Sequence, residues 1–175
     1  MDTPDFSQPE MVLSGKRPSR PVLFEFFLND KLYHHLTGKQ MENCSTNEEN
    51  IVVVIEAFRN TGYDYVTLTC RNRNTLKFER GEKHKEESIS LIVYEQYSSR
   101  ISLPGGIDMN FLARAYPAEI RARAVNLLKL NAARGRYAMG SGKSIPEYMP
   151  FENYFAMNSA VEEMICNVSI RILFL

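Results

Sequence analysis

Apolar runs alternate with capped, charged stretches along this chain, and the punctuation between them divides it into elements. VLFEFFLND (22–30) is a continuous apolar run behind Pro21, which predicts a buried strand over 21–28. Asn29-Asp30 then caps a helical turn through YHHLTGK that Gly38 closes. TNEENIVVVIEAFRN (46–60) carries two opposed signals. Thr46 followed three residues later by Glu49 is a capping box, whereas the β-branched IVVVI run favours a strand. Extension through Glu56, Ala57 and Phe58, and the stop at Asn60-Thr61-Gly62, decide for helix. YDYVTLTC predicts a second strand over 63–69, and the run over 100–103, ended by Pro104-Gly105-Gly106, predicts a third.

Pro117 and Glu119 open the most periodic helix, AEIRARAVNLLKLNAAR. Ile120, Ala124, Leu127, Leu128 and Ala132 share one face, and Gly135 is the expected C-cap. A short apolar run at 136–139 predicts a fourth strand, followed by the loop GSGKSIPEYMP and the helical pattern FENYFAMNSAVEEM. LIVYEQYS (91–98) reads as a strand or as the last turns of a helix. Residues 1–19, with Pro4, Pro9, Pro18 and Gly15, form a lead-in with one short helix at most and loose packing, and 164–175 is an atypical apolar tail. Strands alternating with helices predict an α/β fold with parallel strands.

Composition narrows the chemistry. At 175 residues, 44% hydrophobic and 24% charged, the chain is one globular domain of ordinary size. Lys plus Arg and Asp plus Glu are 21 each, so no bulk field draws it to nucleic acid or to an anionic membrane. The most polar stretch, 71–90, balances six basic residues with four glutamates around a single aromatic, Phe78, and reads as a solvated loop. Cys44, Cys70 and Cys166 are widely spaced and odd in number, which points to neither a metal site nor a disulfide framework and fits a reducing cytoplasm. MDTPDFSQPEM lacks the basic and apolar regions of a signal peptide, and no run nears the length of a membrane span.

Few residues carry candidate chemistry. GSGKS (140–144) lacks the first glycine of a phosphate loop, since position 137 is Tyr. Ile145 breaks a dinucleotide fingerprint. Gly140 and Gly142 therefore either form a tight turn or let the loop line a substrate cavity. Gly105 and Gly106 admit a close neighbour or ligand, and Asp108 after them either caps the next helix or points into a pocket. Glu25 is a lone carboxylate in an apolar run. Such a group is costly to bury unless paired, so it faces a site or marks a partly open strand. His34, His35 and His84 read as surface residues, and neither HExxH nor GxSxG occurs.

Several of these pieces, in order, resemble the uroporphyrinogen decarboxylase family, which also contains cobalamin-linked methyltransferases. RPVLFEFFLND resembles its first strand and GYDYVTL its second. YSSRISLPGGIDMNFLARAYPAEIRARAVNLLKL is similar to its late strand and helix, and GRYAMGSGKSIPEYMPFENYFAMNSAVEE to its C-terminal signature. The resemblance implies a (β/α)8 barrel, here a partial one over 20–163, with early strands in 20–90, late strands in 91–163 and the middle of the barrel missing. Open sheet edges would then favour self-association. It implies tetrapyrrole side-chain decarboxylation or corrinoid-linked methyl transfer, with a small-molecule substrate and no cofactor or metal retained. A non-catalytic remnant or scaffold is the other reading. Asp108, Ser141 and Lys143 are the candidate catalytic residues, and Glu25, Gly105, Gly106, Gly140 and Gly142 the candidate substrate-binding ones. The chain departs from the family where it matters most. Apolar residues follow Glu25 where the resemblance expects arginines, Ser141 stands in place of a histidine, and Lys143 in place of a zinc-binding cysteine.

Overall fold

The computed structural model describes residues 3–68, 97, 100–132, 135–141 and 143–173. Its helices are α1 (Ser7–Leu13), α2 (Asp30–Thr37), a 3-10 turn (Met41–Asn43), α3 (Asn47–Asn60), α4 (Met109–Arg114), α5 (Pro117–Ala132) and α6 (Phe151–Leu173). Its strands are β1 (Leu103–Pro104) and β2 (Tyr137–Ala138), which pair in parallel with Leu103 opposite Tyr137. A single parallel bridge joins Leu23 to Met139 on the other side of that chain segment.

The expected partial (β/α)8 barrel is thus corrected. Helix dominates the described residues, and the sheet has two strands of two residues each. The backbone bonds show why pairing stops so early. Met139 N–H donates to Val22 O and Phe24 N–H to Met139 O, both at 2.7 Å, which uses the groups of 22–25 on one side only. On the other side the Tyr65 hydroxyl accepts the Glu25 N–H at 2.8 Å and donates to Glu25 O at 2.6 Å. A side chain therefore terminates the ladder where a second strand was expected, and the described part of that strand, 63–68, carries no strand pairing. Pro104 has no N–H to offer a further strand on the side of β1 away from β2, toward which Leu103 and Gly105 donate. The segments at 71–90 and 91–96 lie outside the described residues.

Helix formation follows the local signals. The Asn29 side chain accepts from Leu32 N–H at 2.8 Å to start α2, and Gly38 ends it in the left-handed region at φ 70°. The Thr46–Glu49 capping box starts α3, with both reciprocal bonds made. The mixed signal in IVVVI has a structural counterpart, because Val53 and Val54 are buried while Ile51, Val52 and Ile55 remain exposed.

The principal core gathers α2, α3, α5 and α6 around residues with no exposed surface, among them Leu32, Ala57, Ile120, Leu127, Tyr154 and Met157. The most extensive helix–helix contact joins α5 and α6, and an Arg121–Glu163 ion pair closes it at the surface. Asn153 Nδ2 donates to Leu112 O at 2.7 Å and Ala115 O at 3.1 Å, which ties α6 to the end of α4. The lead-in is not loose. Val12 of α1 forms a second small cluster with Val22 and Ala138, and the buried Gln8 side chain accepts from Ser19 N–H and Oγ, each at 2.9 Å. The atypical apolar tail is helical over its described part, since α6 continues to Leu173.

The capping box yields a direct check. Thr46→Ala removes the acceptor for the Glu49 N–H and is expected to lower stability by about 1 kcal/mol, read as a reduced urea midpoint with an unchanged denaturant slope.

Candidate functional site

The apolar run and the glycine loop meet at Glu25. Its segment is held beside β2 by the bridge at Leu23, and the loop leaves the far end of β2, so residues distant in sequence become neighbours. The Glu25 carboxyl has no exposed surface. Ser141 N–H donates to its Oε1 at 2.6 Å, and Ser141 Oγ lies 2.8 Å from its Oε2. Ser141 Oγ also lies 2.8 Å from Lys143 O and accepts the Lys143 N–H at 3.2 Å.

Proton counting favours the neutral form of this group. Ser141 has one hydroxyl proton and two oxygen acceptors within reach. With Glu25 ionised, one of those acceptors goes unserved. With Glu25 neutral, its Oε2–H donates to Ser141 Oγ, and the serine proton goes to Lys143 O, so every contact is a hydrogen bond. Burial works in the same direction. It pushes the Glu25 carboxyl up from 4.5 to about 8, and the two Ser141 bonds oppose that only in part. Burial and hydrogen bonding thus both favour the protonated form of Glu25.

The remaining wall is aromatic. Tyr63 and Tyr154 are fully buried with their hydroxyls 3.1 Å apart, and burial raises both above the ordinary tyrosine value. Tyr65, which brackets the Glu25 backbone, is raised for the same reason. Gly140 makes the approach of loop and strand feasible, because a Cβ there would overlap Phe24 O and lie 3.2 Å from Glu25 Oε1. Both amide atoms of Asn158, one helical turn beyond Tyr154, are buried and make no hydrogen bond of normal geometry among the described residues.

The candidate residues divide into two groups. Glu25, Gly140, Ser141 and Lys143 come together, although the Lys143 residue as a whole is exposed and takes part through its backbone. Gly105 and Gly106, at φ 98° and 114°, require glycine. Together they bring Ile107 N–H to Gly140 O at 3.1 Å, so the two loops abut. Asp108 does not join the cluster. Its carboxylate accepts from Phe111 N–H at 2.8 Å and caps α4, which settles the two readings left open by its position. Gly142 lies outside the described residues. Sequence reasoning missed the tyrosines. The only trace of them was the i, i+2 spacing of Tyr63 and Tyr65, which places both on one side of an extended segment.

A groove of about 610 Å³ between α2 and α3, lined by residues including His34, Lys39, Cys44 and Val52, contains none of the candidate residues. Among the described residues, no helix is long and apolar enough to cross a membrane. Compared with protein families, curated proteins and solved structures, the chain matches none.

Two outcomes are expected. The folded Glu25 value, about 8, lies above the ordinary 4.5, so its contribution is full below 4.5, is lost between 4.5 and about 8, and changes no further above that. Over this window the stability falls at up to about 1.4 kcal/mol per pH unit. Glu25→Gln keeps a donor at Oε2 and an acceptor at Oε1, so denaturant titrations of both proteins from pH 4 to 9 should show the decline in the natural chain and its absence in the variant. Asp108→Ala should cost about 1 kcal/mol while Asp108→Asn costs far less, since either Asp or Asn accepts the Phe111 N–H; urea midpoints separate the two.

Proposed function

We propose that this chain is a uroporphyrinogen decarboxylase-like protein that does not itself decarboxylate a tetrapyrrole, its loop framework serving to hold the fold. One observation carries the reading. The acid best placed among the candidates, Glu25, is enclosed with no exposed surface and closes on Ser141. Decarboxylation requires cationic groups that hold the substrate carboxylates and an acid that reaches the ring carbon to be protonated. An enclosed acid meets no substrate atom, and Asp108 is engaged at a helix start. Phe26 and Phe27 follow Glu25 where carboxylate-binding cations would be wanted. The three scattered cysteines are consistent with a cytoplasmic setting.

The test is an anaerobic incubation with chemically reduced uroporphyrinogen, with products oxidised and separated by their number of carboxylates. The expected result is no loss of carboxylate above the buffer blank. Formation of a less carboxylated product that disappears in Lys143→Ala, a change at an exposed residue, would overturn the reading.

A further inference from the structure

At the opposite end of the parallel segments, where the chain enters β1, β2 and the Leu23 bridge, cations accumulate. Lys16 and Arg17 follow α1, Arg136 immediately precedes β2, and Arg100 lies just before β1. Arg136 N–H donates to Lys16 O at 3.5 Å, and the Ser102 hydroxyl donates to Val12 O, so the three stretches are bound to one another. Among the described residues, the ion pairs are Arg20–Asp64, Lys39–Glu56 and Arg121–Glu163, and none of these four cations takes part in one. Glu10, exposed on α1, is the acid on the nearest helix.

Arg136 is also the described non-glycine residue with positive φ, at 59°. That conformation is costly for a residue with a Cβ, and it persists where the surroundings impose it, commonly at functional positions. The surroundings here are specific. Gly15, at φ 74°, lies under the Arg136 guanidinium, and a Cβ on Gly15 would sit 2.6 Å from Cζ and 2.7 Å from Nη2. Gly135, at φ 66°, packs against the Arg17 backbone, whose Cα would lie 2.9 Å from an added Cβ. Two glycines and one strained backbone thus bring the Arg17 and Arg136 segments together, with Arg136 half-buried and Arg17 exposed.

We propose that Lys16, Arg17 and Arg136, flanked by Arg100, form a binding site for a compact oxyanion carrying at least two negative charges. Guanidinium groups bind carboxylate and phosphate oxygens in a bidentate fork, and a multivalent anion offsets the mutual repulsion of the cluster. The site is separate from Glu25 and Ser141 and does not depend on the chain's relation to any enzyme family. Its net effect is local, since the chain as a whole carries equal numbers of acidic and basic residues.

The experiment is thermal melting of the full chain at pH 7 in sodium pyrophosphate, sodium citrate or sodium chloride at matched ionic strength. The expected result is a saturable rise in Tm with pyrophosphate or citrate beyond that in chloride, with the better of the two identifying phosphate or carboxylate chemistry. Arg136→Gly should melt higher than the natural chain in chloride, because glycine accepts positive φ freely, and should lose the anion-specific rise. Arg17→Gln should weaken the rise while remaining folded by circular dichroism, and Arg59→Gln, on the exposed side of α3, should keep it. Equal Tm in all three salts would overturn the proposal, as would an undiminished anion-specific rise in both Arg136→Gly and Arg17→Gln.

Discussion

The hydrogen bonds between the Glu25 carboxyl and Ser141 are the constraint on which the rest of the structure depends. They join the first apolar run to the loop after β2 across most of the chain's length. A buried carboxyl is tolerable only with partners for its oxygens. Ser141 provides both, one from the backbone and one from the side chain, and Tyr65 satisfies the backbone of the same glutamate. The contact therefore specifies register rather than adding apolar area. Sliding the run by one residue would turn Glu25 outward and an adjacent phenylalanine toward a polar loop.

What the sequence revealed most clearly was set by neighbours within one helical turn. Asn29 and Thr46 each serve the N–H three residues on, and Gly38 takes the left-handed turn, because these choices depend on local backbone chemistry. The face formed by Ile120, Ala124, Leu127 and Leu128 was legible for a similar reason, as helical period alone gathers those residues. Strands were misread because an apolar run states that a segment is buried without stating what it pairs with. VLFEFFL is buried at Val22, Leu23, Glu25 and Leu28, yet its backbone bonds to the Tyr65 and Tyr33 hydroxyls as well as to other backbone.

The candidate site shows the same division. Glu25 stood out in sequence as a lone carboxylate, and the glycine-spaced loop stood out as a turn, but nothing in either segment named the other as its partner. Long-range pairs of this kind carry no periodic signal. The tyrosines were less visible still, since a tyrosine in an apolar stretch reads as core, and only the fold reveals which hydroxyl meets which group. Asp108 shows the converse. Its position suggested chemistry, and a bond to Phe111 three residues away accounts for it.

Gly140 carries this constraint into the gene. The space a first side-chain carbon would need is already occupied by the Phe24 carbonyl and approached by the Glu25 carboxyl. The obstruction is backbone, so no smaller or more flexible substituent avoids it. All four glycine codons share their first two bases, and every change at either base introduces a side chain or a stop. Codon 140 is therefore free to drift only at its third base for as long as the folded chain is under selection, while the codons of the solvent-facing Glu147 and Tyr148 nearby have no such restriction.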